Sequence, residues 1–276
     1  MLKLLRANFS RLWKTKGSWA AMALLALMGA AIPLKYFIDN RSGSSAWTPD
    51  TACFTFAFLV PIFLSVLTAL FIGSEYSDGT MRNKCIVDHR RGNIYLANLI
   101  VCVAAGAMLC AAYLLPYLCL ALPLLGNFEA QLQAVLLYIG LNLLLMTAFT
   151  ALYTLEAMLI QSKAHTATAC ILLAFALLFW GIRITSALNE PEYYSAYSYT
   201  ENGVTVEAPE ERNPNYLTGT KRQAYEFLRD FTPGGQALQL ANMNTEHPAQ
   251  LALYSSLIVL ASTCGGVLAF RRKDLK

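Results

Sequence analysis

Six stretches of this 276-residue chain run for 18 residues or more without a single Asp, Glu, Lys or Arg. They cover 17–34, 51–74, 92–128, 130–155, 164–182 and 247–270. A helix rises about 1.5 Å per residue, so about 20 apolar residues cross roughly 30 Å of hydrocarbon. No water reaches the backbone in that layer, so each crossing has to satisfy its own N–H and C=O groups as a helix. The pattern predicts an all-α polytopic membrane protein with six transmembrane helices. Composition agrees: 56% of residues are hydrophobic and 14% charged, where a soluble domain carries about 25% charged residues.

The third run is too long for one simple crossing. Its 37 residues would extend roughly 55 Å as a helix. Pro116 and Pro123 are placed to kink or end that helix near its far side, because proline removes a backbone donor and clashes with the preceding turn. Dividing the run would give seven crossings and put the termini on opposite faces. Six crossings put both on one face.

Lys and Arg in short loops set the orientation. Fourteen of them fall on one side, within 1–17, within the 75–92 loop, at Lys163 and in the tail at Arg271, Arg272, Lys273 and Lys276. The short loops of the other side hold only Lys35 and Arg41. The expectation is a plasma-membrane protein with both termini cytosolic. With five acidic residues the inner side carries +9 and the outer side −5. Such an inner face suits anionic lipid headgroups, which leaves no charge that nucleic acid is needed to explain. The first run is longer than a secretory h-region and is followed by Pro33-Leu34-Lys35, so it reads as a retained span.

Residues 1–16, "MLKLLRANFSRLWKTK", place Leu2, Leu5, Phe9, Leu12 and Trp13 at helical spacing, with Lys3, Arg6 and Lys14 mostly elsewhere on the wheel. This is the pattern of an interfacial amphipathic helix lying on the inner leaflet. Arg6, Phe9 and Trp13 are its candidate anchors.

The polar knot "GSEYSDGTMRNKCIVDHRRGN", residues 73–93, separates the second and third runs. Asp78 or Thr80 is placed to cap a short helix, and Gly79 permits a tight reversal. Spacing puts Met81, Cys85 and Ile86 on a seated side and Arg82, Asn83 and Lys84 on the wet side. Glu75 stands at the membrane exit, within reach of Arg82 or of a basic residue of the N-terminal helix. A plain solvated loop whose arginines set topology accounts for the same residues.

The segment 183–250 is the largest non-membrane piece, with nine acidic residues and tyrosines at 193, 194, 197 and 199. Ala224, Phe227, Leu228 and Phe231 mark an amphipathic helix ended by Pro233-Gly234-Gly235, and a second short helix fits 236–242. We expect an external helical cap lying partly on the membrane surface, with a cargo-contacting lid as its sharper form. Residues 251–276 supply the last span and a basic tail.

Catalytic signatures are missing. The sequence contains no G-x-x-x-x-G-K-[ST] phosphate loop and no HExxH, and His89, His165 and His247 are dispersed. The Glu210-Glu211-Arg212 run lies outside the spans. Seven cysteines form no CxxC pair, so neither a metal site nor a disulfide framework is expected. Mid-depth charges, which proton- or ion-coupled carriers use as relays, are almost lacking. The alternatives left open are a non-catalytic membrane scaffold or sensor and an intramembrane enzyme without a recognisable motif.

"SEYSDGTMRNK", followed by "HRRGNIYLAN", resembles the cytosolic loop of type-2 ABC exporter permeases, with lantibiotic-immunity and multidrug permeases of Firmicutes the nearest in character. "LLRANFSRLWKTKGSW" and "NPNYLTGTKRQAYEFLRDFTPGGQA" are similar to the first and last parts of the same proteins. The resemblance implies a permease subunit with an N-terminal connecting helix and a coupling helix in the 75–92 loop. Glu75, Tyr76, Gly79, Thr80, Met81, Arg82, Asn83 and Lys84 would form or orient that helix against a separate ABC ATPase. It further implies two ATPase subunits, a second permease as homodimer or heterodimer, ATP and magnesium on the partner with no cofactor in this chain, and cargo such as a peptide antibiotic or a drug.

Overall fold

The computed structural model describes every residue except 44, 45, 88, 195, 196, 202, 203, 209, 275 and 276. The side chains of 197–201 and 204–208 are also outside it, so Asp88, Lys276 and the Tyr197–Tyr199 half of the tyrosine cluster are not described below. Helix α1 (Leu2–Lys14) turns at Thr15 into α2 (Lys16–Arg41). Then come α3 (Phe56–Ser77), α4 (Thr80–Ile86), α5 (Arg91–Leu125), α6 (Leu132–Leu159) and α7 (Lys163–Leu188). After four short strands the chain closes with α8 (Gly219–Phe231), α9 (Pro233–Ala241) and α10 (Pro248–Arg272). Among the described residues six helices are long and apolar enough to cross a membrane, and they are the six expected from the uncharged runs.

The bundle is layered by burial. In α3, 67% of the apolar window is buried inside the protein, against 17% in α2. Helix α3 is therefore the central post, and α2 buries Leu25 but turns Leu24, Leu27 and Leu34 outward, where lipid rather than protein is the natural solvent.

Helix α5 ends two residues after the second proline, near its far side. It runs through both Pro116 and Pro123 to Leu125 as one 35-residue helix. The bond lost at Pro116 is outweighed by what flanks it. Tyr113 and Tyr117 are fully buried and stack at 5.8 Å. Their hydroxyls donate to Ala52 O at 3.0 Å and Pro49 O at 2.7 Å. The buried approach to α3 is thereby pinned to α5. Asp50 continues the staple by accepting from the Glu129 and Ala130 amides.

The 183–250 segment departs most from expectation. It is not helical throughout. Strands β1 (Tyr193–Tyr194), β2 (Tyr197–Glu201), β3 (Val204–Ala208) and β4 (Glu211–Arg212) form an antiparallel ribbon, β2 against β3 and β1 against β4. The residues Pro233-Gly234-Gly235 do not merely end α8. They open α9, with Pro233 in the first turn and the Thr232 hydroxyl accepting from Gly235 N at 3.3 Å, as proline at a helix start favours.

Nor does α9 lie on a surface. Eight of its nine residues are buried, and it is wedged against α7, α3 and α6. Two glycines permit this: a Cβ on Gly234 would sit 1.8 Å from Leu177 O, and one on Gly181 2.3 Å from Gly234 C. Leu177 lies eleven residues before the end of α7, about 16 Å along that helix. The chain re-enters the bundle to that depth. Its buried polar groups are satisfied locally, as burial requires. Gln236 donates to Asp230 O at 2.8 Å, Gln239 to Asp230 Oδ1 at 3.0 Å, and Ser255 to Gln236 Oε1 at 2.6 Å.

Candidate functional site

The polar knot between α3 and α4 sits at the end of the bundle that also holds α1, here called the basic end. Glu75, in the last turn of α3, is completely buried. Arg11 of α1 reaches it at 2.6 Å, and Lys84 of α4 bonds to the same carboxylate oxygen. Asn98 of α5 donates to its other oxygen at 3.0 Å. Asn8 of α1 closes the ring, donating to Asn98 at 2.6 Å and accepting from Lys84 at 3.1 Å. One carboxylate thus ties four helices together. Burial pulls the Lys84 ammonium below the ordinary lysine range, against the pull of Glu75.

Helix α4 is aimed by its first residues. Gly79 adopts the left-handed conformation at φ 67° and is itself the N-cap. Neither Asp78 nor Thr80 caps the helix, because the Thr80 hydroxyl donates back to Glu75 O at 3.1 Å. Met81 is buried and Cys85 half-buried. Two further expectations are corrected here. Lys84 is not on the wet side but turned inward to Glu75, while Ile86, expected on the seated side, is 69% exposed beside Val87. The outward face of α4 is therefore Arg82, Asn83, Ile86 and Val87. The partner that meets Glu75 is Arg11, and Arg82 has no partner among the described residues.

Tyr76 belongs to a second node. Its hydroxyl donates to Met158 O of α6 at 2.6 Å and accepts from Lys273 Nζ at 3.3 Å. Lys273 also donates to Met158 O at 3.0 Å and lies 4.6 Å from the Tyr76 ring centre. Burial draws its ammonium down to about 8. Arg91 donates to the carbonyls of Phe270, Arg271 and Lys273, so the end of α10 is clamped to α3, α5 and α6.

Helix α1 presents three faces, which follow from advancing about 100° per residue. Leu4, Asn8 and Leu12 are buried, with Arg11 on the same side. Leu2 and Trp13 are exposed apolar groups, with Phe9 half-buried among them. Arg6 is exposed beside Leu2 and Trp13, and Lys3 and Lys14 are exposed on the third face. Trp13 packs against Trp19 at 5.3 Å, and its carbonyl accepts from Trp19 Nε1 at 2.9 Å. The apolar stripe alone did not reveal the docked face, because two of its members, Asn8 and Arg11, are polar.

Sequence reasoning anticipated Arg11 only as an unspecified basic residue of the N-terminal helix, and missed Asn8, Asn98 and Lys273 as members of these nodes. A lone Asn98 inside a long apolar run was the available signal, since an amide in lipid has to find a partner.

A family comparison places this arrangement: residues 4–181 match the model of ABC-2 family transporter proteins. The chain belongs to that family. This ABC-2 permease is accordingly the membrane component of a transporter, a multi-pass protein of the plasma membrane. Members of the family work with an ABC ATPase and as dimers. The match takes in α1 through most of α7, including both polar nodes' residues on α3, α5 and α6. No curated protein matches the chain.

Proposed function

We propose that this permease forms the transmembrane route of an ABC exporter in which α4 is the coupling helix, seated in a cleft of a separate ATPase. The basic end, with both termini, faces the cytosol. Two ATPase subunits carry the ATP and magnesium, and a second permease, identical or related, completes the route. Cargo leaves the cell, a peptide antibiotic or a drug being the classes that the sequence resemblance favours.

The observation that carries this reading is the Glu75 node. A short helix can relay force only if its outer face is free and its inner face is rigidly held. Arg82, Asn83, Ile86 and Val87 point away from the bundle. Met81, Thr80 and Lys84 hold α4 to α3, and Glu75 passes any displacement to α1 and α5. ATP-driven closure of the partner would then tilt three helices together.

A photo-crosslinking amino acid at position 82 or 86 should capture the ATPase when the two are co-expressed. Capture at neither position, with an intact complex, would remove α4 from the interface. Gly79→Val should insert normally yet lose transport while the partner still binds ATP. A β-branched residue in the left-handed region costs about 1–2 kcal/mol or more, and relieving it re-aims α4. Full transport by this variant counts against coupling. An enzyme would act without the ATPase, and a scaffold would not change its turnover.

A further inference from the structure

We propose that the groove between α7 and α8, at the end of the bundle opposite the basic end, is a binding site for an anionic phospholipid. The groove consists of two neighbouring chambers with lining residues in common. The first, of about 330 Å³, is lined by Phe179, Trp180, Ile184 and Leu228. The second, of about 350 Å³, is lined by Lys221, Glu190, Asn215 and Ser186. Arg183, Ala187 and Tyr225 border both. A ligand that fills both chambers must be apolar at one end and polar at the other, which is the chemistry of a lipid.

The charge selects an anion. Neither Arg183 nor Lys221 has an ion-pair or hydrogen-bond partner among the described residues. Their neighbours are paired: Arg212 with Glu192, Arg222 with Glu226, and Arg229 with Asp230. Glu190 accepts from the uncharged Asn213 amide at 2.9 Å, so against the two cations the formal charge of the chamber is +1. A snorkelling arginine alone would explain Arg183. It does not explain a second free cation brought to the same chamber from α8.

The depth selects a membrane lipid over a soluble anion. Arg183 ends the uncharged run of α7, so the polar chamber lies where that helix leaves the apolar layer and the apolar chamber lies just within it. Trp180 and Tyr225 sit at the level where such rings concentrate. A phosphate between Arg183 and Lys221 would let its acyl chain descend along Phe179 and Trp180. On the proposed orientation this is the outer leaflet, but the site does not depend on transport.

Trp180 supplies the readout. The chain has four tryptophans, so the W13F/W19F/W47F variant of the full chain leaves Trp180 as sole emitter. In nanodiscs, phosphatidylglycerol brominated near the headgroup end of its chains should quench Trp180 in preference to equally brominated phosphatidylcholine. The preference should be roughly fivefold per cation, on the order of 1 kcal/mol each. R183Q/K221Q exchanges two exposed side chains and should fold normally and abolish the preference. R41Q/R212Q removes the same charge elsewhere and should leave it intact. Equal quenching by the two lipids would overturn the site, as would a preference that survives R183Q/K221Q or one lost equally in R41Q/R212Q. Excess inorganic phosphate should leave the quenching unchanged. Displacement of the lipid by phosphate alone would assign the chamber to a soluble anion and overturn the lipid.

Discussion

Glu75→Ala is expected to destabilise the permease by about 3–5 kcal/mol, the usual result of removing one partner from a buried ion pair. It leaves Arg11 and Lys84, which now share one carboxylate oxygen, as like charges with nothing between them. Arg11 keeps 31% of its side-chain surface, so water recovers part of the loss and the lower end of that range applies. Glu75→Gln keeps an acceptor for Asn98 but loses the charge, and should fall between wild type and Glu75→Ala. Adding Lys84→Met to Glu75→Gln removes the less exposed of the two orphaned cations and should restore part of the thermal stability. On the proposed function it should not restore stimulation of the ATPase, because α4 is then no longer tied to α3 by charge. Thermal unfolding in detergent reads the first effect and ATPase turnover in vesicles the second. A Glu75→Ala protein as stable as wild type would show that the node bears little weight. Normal coupling in the stable double variant would refute the relay.

Gly234→Val should be at least as damaging, and at the opposite end. Its Cβ would fall 1.8 Å from Leu177 O, a backbone atom inside a helix that cannot yield. The relief available is withdrawal of α9, which uncovers Gln236, Ala237 and Leu240 and the faces of α3, α6 and α7 beneath them. A loss on the order of 4–5 kcal/mol is expected, in the range reserved for severe steric or burial defects. Limited proteolysis should then cut near 242–247, where the wild-type chain is held. Gly140→Ala is the matching control: nothing lies within 4 Å of a Cβ there, so it should be neutral or stabilising by up to about 1 kcal/mol. Wild-type stability and protease resistance in Gly234→Val would mean that α9 is not seated as described.

Some of this architecture is visible in the chain before folding. The ribbon at 193–212 had a local signal, two alternating runs, "YSYTE" and "VTVEA", separated by Asn202-Gly203, the commonest hairpin dipeptide. Helix α8 was legible from its aromatic spacing. Helix α9 was not, because "PGGQALQLA" is too short and too glycine-rich to read as a buried helix; its glycines matter only where α7 crosses them. In the Glu75 node, residues from four helices converge across as many as 90 positions (Asn8 to Asn98), and no local pattern reports that.

The six crossings follow from hydropathy alone, since a backbone in hydrocarbon must bond within its own helix and each long uncharged run can do so independently. Which way the sides of those helices turn is a different kind of fact. Leu2 and Trp13 face outward and Asn8 and Arg11 inward, and Lys84 is turned inward while Ile86 is not, the reverse of what side-chain polarity predicts. In a bilayer an outward leucine gives up nothing, and a cation can be taken inside only where a carboxylate waits for it. That carboxylate is placed by the packing of α1, α3, α4 and α5 together, so it exists only once the bundle has assembled.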